Sequence, residues 1–109
     1  MTTTKINLIQ CTCPDQKIAE EIAAKLVETG LAACVSVVPG ITSIYSWQGK
    51  VEKDAEILLL IKTASVRTAD LCRALVELHP YDVPEVIALP VEHGHLPYIE
   101  WVEQCTISS

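Results

Sequence analysis

Among the cysteines, histidines and carboxylates of this chain, Cys11, Cys13, Glu56 and His79 are the candidates for metal or nucleophile chemistry. Thiolate, imidazole and carboxylate together form a ligand set for copper or zinc. The local motifs are sparse. Cys11 and Cys13 make a Cys-x-Cys pair, and the absence of any Cys-x-x-Cys argues against a thioredoxin-type redox pair or a zinc ribbon. A lone cysteine is most often a small buried hydrophobe, and a histidine before proline most often sits in a solvated loop. His93-Gly94-His95 is a second histidine pair that reads as a surface turn. The competing chemistry is a Cys11 nucleophile with His79 as base. Cys11 precedes a helix start, a position that lowers a thiol pKa, but the sequence offers no orienting third group and no oxyanion motif. With only four glycines there is no phosphate-cradling loop.

Whether the candidate ligands meet depends on the elements that carry them. Ile6 to Cys11 is apolar enough for a buried strand. Pro14-Asp15 opens a helix, in which Ile18, Ile22 and Leu26 recur at four-residue steps beside Ala19 and Ala23, and Gly30 ends it. Leu31 to Val38 and Ile41 to Trp47 read as strand interrupted at Pro39-Gly40, the mark of a bulge on an edge. Ser43, Tyr45 and Trp47 alternate along one face, as an interface or core stripe does. Gln48-Gly49 demands a hairpin, and Ile57 to Ile61, apolar on both faces, belongs in the middle of a sheet. Thr63 or Ser65 caps a second helix with a stripe of Val66, Leu71, Leu75 and Leu78, which Pro80 stops. Glu85 to Val91 is a further strand, at an edge because of Pro90. Pro97 starts a terminal helix with Tyr98, Trp101, Val102 and Cys105 on one side and Trp101 over a sheet edge.

The order β-α-β, β-α-β, helix predicts an α+β, ferredoxin-like split βαβ sandwich, with an antiparallel sheet in spatial order 4-1-3-2. A small doubly wound sheet is the alternative, and the tight Gln48-Gly49 link argues against it. In the 4-1-3-2 order the end of the first strand lies beside the third strand and the entry to the fourth. Cys11, Cys13, Glu56 and His79 then converge on one edge of the domain.

Composition narrows the function. The 109 residues are 50% hydrophobic and 20% charged, which fits one domain spanning residues 1–109 and excludes disorder. No apolar run approaches the ~20 residues of a membrane helix. The start lacks a signal or transit pattern, so a cytoplasmic location is expected. Fourteen acidic residues against eight basic give a net charge of −6, which repels nucleic acid and attracts cations. An odd count of five cysteines fits a reducing compartment.

Several segments together resemble a known family. They are Gly30-Leu31-Ala32-Ala33-Cys34-Val35, Pro39 through Lys50, Glu56 through Thr63, His79-Pro80-Tyr81-Asp82-Val83-Pro84-Glu85 and Tyr98-Ile99-Glu100-Trp101. From Ile6 to Trp101 the chain is similar to the CutA divalent-cation tolerance proteins. The resemblance implies a PII-like homotrimer, a link to copper or another divalent cation, and no enzymatic activity. It implies copper ligation by a cysteine at the end of the first strand, matched by Cys11, and by a His-His pair before proline. His79 matches the second of that pair, and Leu78 stands at the first. Cys13 lies outside the motif and is placed to substitute. Glu56 completes the expected metal set or orients the histidine. The alternative function is a trimeric regulatory or scaffold module that binds a small ligand or protein partner in clefts between subunits, with no direct metal role.

Overall fold

The computed structural model describes residues 2–107. Strands β1 (Ile6–Cys13), β2 (Cys34–Trp47), β3 (Lys50–Ala64) and β4 (Val86–Pro90) form one antiparallel sheet in the order β2-β3-β1-β4. This is the expected 4-1-3-2 arrangement. Helices α1 (Gln16–Glu28) and α2 (Thr68–Leu78) cover one face, and α3 (Leu96–Thr106) closes the molecule near the start of β1. Thr2–Thr3 pairs with His93–Gly94 as a separate short ladder, so the expected turn at His93 is partly strand.

Period-two alternation places Ile9, Cys11 and Cys13 of β1 on the helix-facing side with Leu59 and Ile61 of β3. Ala19, Ile22 and Leu26 of α1 and Leu71 and Leu75 of α2 complete that core. Asp15 caps α1 as the sequence suggests, its Oδ1 accepting the Ile18 N–H at 2.8 Å. Gly30 ends the helix at φ +74°, a left-handed conformation that favours glycine. A second cluster of Ile6, Ala33, Ile99 and Val102 seats α3.

β2 is one strand with a bulge rather than two pieces. Val38 lies opposite Leu58 and Ile41 opposite Glu56, so one extra residue is absorbed at Pro39-Gly40 on the outer edge. The hairpin turns through Gln48 and Gly49 at φ +50° and +79°, both positive as the tightest hairpins require. β1 pairs with β3 only over Ile57–Ala64, so the paired segments 41–47 and 50–56 run on as a two-stranded ribbon. That ribbon helps stretch the molecule to 45 × 27 × 22 Å.

Three expectations about the helices are corrected. Thr63 is strand, and its hydroxyl donates to the Leu31 carbonyl at 2.7 Å instead of capping a helix. Ser65–Arg67 forms a 3₁₀ turn before α2, which begins at Thr68 without a side-chain cap. That shift turns Val66 and Leu78 outward and leaves only Leu71 and Leu75 buried along α2. On α3 the packed side is Ile99, Val102 and Thr106, whereas Tyr98 and Trp101 lie against each other on the exposed side with ring centroids 5.7 Å apart. Trp101 therefore remains exposed, and Cys105 is exposed as well.

The α1 cap yields a stability prediction. Asp15→Ala removes the acceptor for the Ile18 N–H and should lower the unfolding free energy by about 1 kcal/mol. Asp15→Asn should retain most of it. Urea unfolding at one fixed protein concentration tests this, and equal stability of the Ala variant and the parent would refute it.

Candidate metal centre

The end of β1, the entry to β4 and the segment after α2 meet at one edge of the core. Cys11 and Cys13 project from β1 into the helix-facing core and are fully buried. His79 follows α2 in extended conformation, as a residue before proline should, and is 7% exposed. One ligand atom from each of Cys11, Cys13 and His79 lies within 4.8 Å of the others. The convergence expected from strand order therefore holds for these three, with Cys13 a full member.

The imidazole is held at both nitrogens. The Tyr81 N–H donates to Nδ1 at 3.1 Å, so that nitrogen carries no proton and the hydrogen resides on Nε2. Nε2 donates to the Thr12 carbonyl at 2.7 Å. The strand order explains this bond. β4 pairs along β1 only as far as Cys11, and His79 satisfies the next carbonyl, one that the ladder leaves open. Metal ligation through Nε2 requires that hydrogen bond to yield.

The two thiols titrate as a pair. Cys13 beside it, then burial, pushes the Cys11 thiol well above the usual range, and the charges of Glu85 and Glu56 act in the same direction. Cys13 is pulled below its ordinary value by the Cys11 thiol beside it, against the opposing effect of burial. Of the two thiols, Cys13 is therefore the one that ionises first. The expectation that a helix start would lower the Cys11 pKa fails because the thiol lies inside the core, where desolvation and its neighbour dominate. With that, the Cys11 nucleophile loses its activation.

Glu56 does not join this cluster. It alternates with Ile57 and Leu59 on β3, which places its side chain on the face turned away from the helices, with Thr12. There it is 8% exposed, and its Oε2 accepts the Tyr81 hydroxyl at 3.0 Å. Burial, then this bond, raises the Tyr81 pKa to about 12. Tyr81 thus links the two faces: its backbone N–H holds His79, and its hydroxyl holds Glu56. A cavity of about 410 Å³ opens on that second face, bounded by Thr12, Tyr45, Trp47, Glu56 and Tyr81. Sequence reasoning missed it, although the Ser43-Tyr45-Trp47 alternation held the signal.

Chemically, two thiols and an imidazole form a soft donor set suited to copper or zinc rather than magnesium or calcium. Three donors match a trigonal site, and a tetrahedral ion would need a fourth. Among the described residues, no helix is long and apolar enough to cross a membrane.

The family model described as CutA1 divalent ion tolerance protein matches residues 7–105. Protein CutA of Homo sapiens is 55% identical over 97 residues, covering 89% of this chain and 54% of that protein. The chain thus spans about half the length of its human, mouse and cattle relatives. The divalent-cation tolerance protein CutA of Thermus thermophilus is 46% identical over 99 residues, covering 91% of this chain and 96% of that one. Among solved structures, CutA1 from Oryza sativa superposes with a TM-score of 0.93 at 43% identity, with full coverage of both chains. CutA from Xylella fastidiosa gives 0.92 at 45% identity, covering 94% of this chain and 99% of that one. With the match running through β1, the ribbon, the His79–Glu85 loop and α3, the chain belongs to the CutA1 divalent ion tolerance family.

Proposed function

We propose that this protein serves divalent-cation tolerance as a cytoplasmic, non-enzymatic homotrimer that binds a soft metal ion, copper foremost, in each subunit. The observation that carries the metal reading is the buried Cys11, Cys13 and His79 group, whose ligand atoms lie within 4.8 Å of one another. Cys11 and His79 are the expected ligands, and Cys13 supplies the third donor in place of the histidine that Leu78 replaces. Glu56 contributes through its charge, which disfavours a bare thiolate and favours a bound cation. Binding must displace the thiol protons and turn the His79 ring away from Thr12, which makes this a conditional site rather than a permanently loaded one.

The trimer reading rests on what the subunit leaves uncovered. The sheet face opposite the helices carries Ile87 and Leu89 exposed and Leu58 and Leu60 half-buried. Among the described residues the ribbon beyond Glu56 has no third strand, and isolated two-stranded ribbons are marginal in water. β2 also presents a long open edge, which proteins cover or blunt. Pairing of the 41–47 edge with a neighbour, with Tyr45 and Trp47 beside the contact, meets all three demands in a closed ring.

Two measurements test these readings. Anaerobic titration with Cu(I) should show about one ion per chain. Cys11→Ser and His79→Ala should each weaken binding by at least about tenfold, with His93→Ala and His95→Ala unchanged. Affinity should rise with pH through neutrality, because raising the pH assists loss of the protons that the ion must displace. If all four variants bind as the parent does, the site is misplaced. Sedimentation should give three times the 11.9 kDa chain mass. The melting temperature should climb with protein concentration, and Trp47→Ala should weaken assembly first. A stable monomer at micromolar concentration would refute the trimer.

A further inference from the structure

The cavity on the sheet's open face has walls that no metal site explains. Its aromatic sides are Tyr45, Trp47 and Tyr81, its carboxylates are Glu56, Asp82 and Glu85, and no Lys, Arg or His lines it. Glu56 is more than nine-tenths buried. Buried carboxylates are ordinarily paired with a cation, yet among the described residues the ion pairs are those of Arg67 and Arg73 with Asp70, on α2 and the turn before it. Glu56 has only the neutral Tyr81 hydroxyl, on one of its two oxygens. Among the described residues the other oxygen makes no hydrogen bond, and it is not sealed from solvent.

The spacing of the carboxylates selects the kind of cation. Oxygens of Glu56, Asp82 and Glu85 do not gather within 4.8 Å of one another, as they would around a single ion. They are spread around a space of about 410 Å³, the size range of small-molecule sites. The Tyr45 hydroxyl is engaged by Asp54 and the Tyr81 hydroxyl by Glu56, and the ring faces of Tyr45 and Trp47 carry no stacked ring among the described residues. Such faces accept methylene groups and attract ammonium groups. Separated carboxylates around aromatic walls fit a chain with ammonium groups at intervals and methylenes between. We propose that this cavity binds a short aliphatic polyamine, with one ammonium on Glu56, a second at the rim between Asp82 and Glu85, and the carbon chain against Trp47 and Tyr45. The net charge of −6 steers such cations inward. The inference is independent of the copper reading, because Cys11 and Cys13 face the other side of the sheet. It shares Tyr45 and Trp47 with the proposed subunit contact, so the assembled protein is the object to test.

Trp47 and Trp101 are the two tryptophans, so a Trp101→Phe protein reports from the cavity alone. Its fluorescence is followed during titration with 1,4-diaminobutane and spermidine at constant ionic strength, with 1,4-butanediol as the uncharged isostere. A saturable change with both amines, tighter for spermidine and absent for the diol, is expected. Glu56→Gln should weaken binding by about tenfold or more, and Asp82→Asn, at an exposed loop position, by several-fold. Both variants are checked for parental mass and circular dichroism, and if Glu56→Gln fails to fold, Asp82→Asn decides alone. No saturable change at millimolar amine, equal binding of the diol, equal competition by magnesium, or parental affinity in the folded variants would overturn the proposal. So would a cavity already filled by a basic side chain of a neighbouring subunit, seen as amine binding that appears only after dissociation.

Discussion

Strand β1 is paired on both sides, and the rest of the molecule is arranged around that constraint. Cys11 lies opposite Leu59 on one side and Val86 on the other, so the register is fixed twice. In a strand held this way, successive side chains have no choice of face. Cys11 and Cys13 go into the helix-covered core, and Thr12 between them goes to the open face. A slip of one residue would expose both thiols and bury Thr12 among α1 and α2. The separation of a thiol–imidazole group on one side from a carboxylate–aromatic cavity on the other follows from this alternation and needs no further device.

The connection between the faces is made by the segment after α2. Pro80 prevents α2 from continuing and extends His79, whose ring then reaches the Thr12 carbonyl where β4 has not yet begun to pair. Two residues on, Tyr81 returns a backbone N–H to the same ring and sends its hydroxyl to Glu56. Its ring lies 4.7 Å from that of His79, centroid to centroid. The loop is thus held by hydrogen bonds to both faces, and it is short and proline-bounded. A change at Tyr81 would reach both His79 and Glu56, whereas one at His93 or His95 would reach neither.

Most of the fold was legible in the sequence because its signals are local. Asp15 before an amphipathic repeat, Gly30 after it, Gln48-Gly49 between strands and Pro90 at an edge each determine backbone geometry over a few residues. Strand order followed from the hairpin and the doubled βαβ pattern. The failures are where tertiary packing overrides a local sign. Thr63 looks like a helix cap, but its hydroxyl has a partner in the Leu31 carbonyl, just past α1, so the strand continues through it. The meeting of Cys11 with His79 could be inferred from strand order. The face on which Glu56 lies could not, since it depends on a register that pairs Ile57 with Cys13. The cavity needs the bulge as well: without the extra residue at Pro39-Gly40, Tyr45 and Trp47 would point to the opposite face of the ribbon.

That bulge also decides how acidity is distributed. With it in place, Ser43 pairs with Asp54 and Tyr45 with Glu52, so carboxylates and aromatic rings share one side of the ribbon. The Asp54 hydrogen bond raises the Tyr45 pKa to about 12, so the phenol remains a neutral donor across the physiological range. Carboxylates held by neutral donors keep their negative charge uncompensated. On the core side, the same charges from Glu56 and Glu85 oppose ionisation of Cys11. An acidic sheet edge of this kind makes bare thiolate costly and a cation welcome on either face. Softness of the donor atoms, rather than charge, then separates the two: sulfur and nitrogen inside, oxygen and aromatic carbon outside.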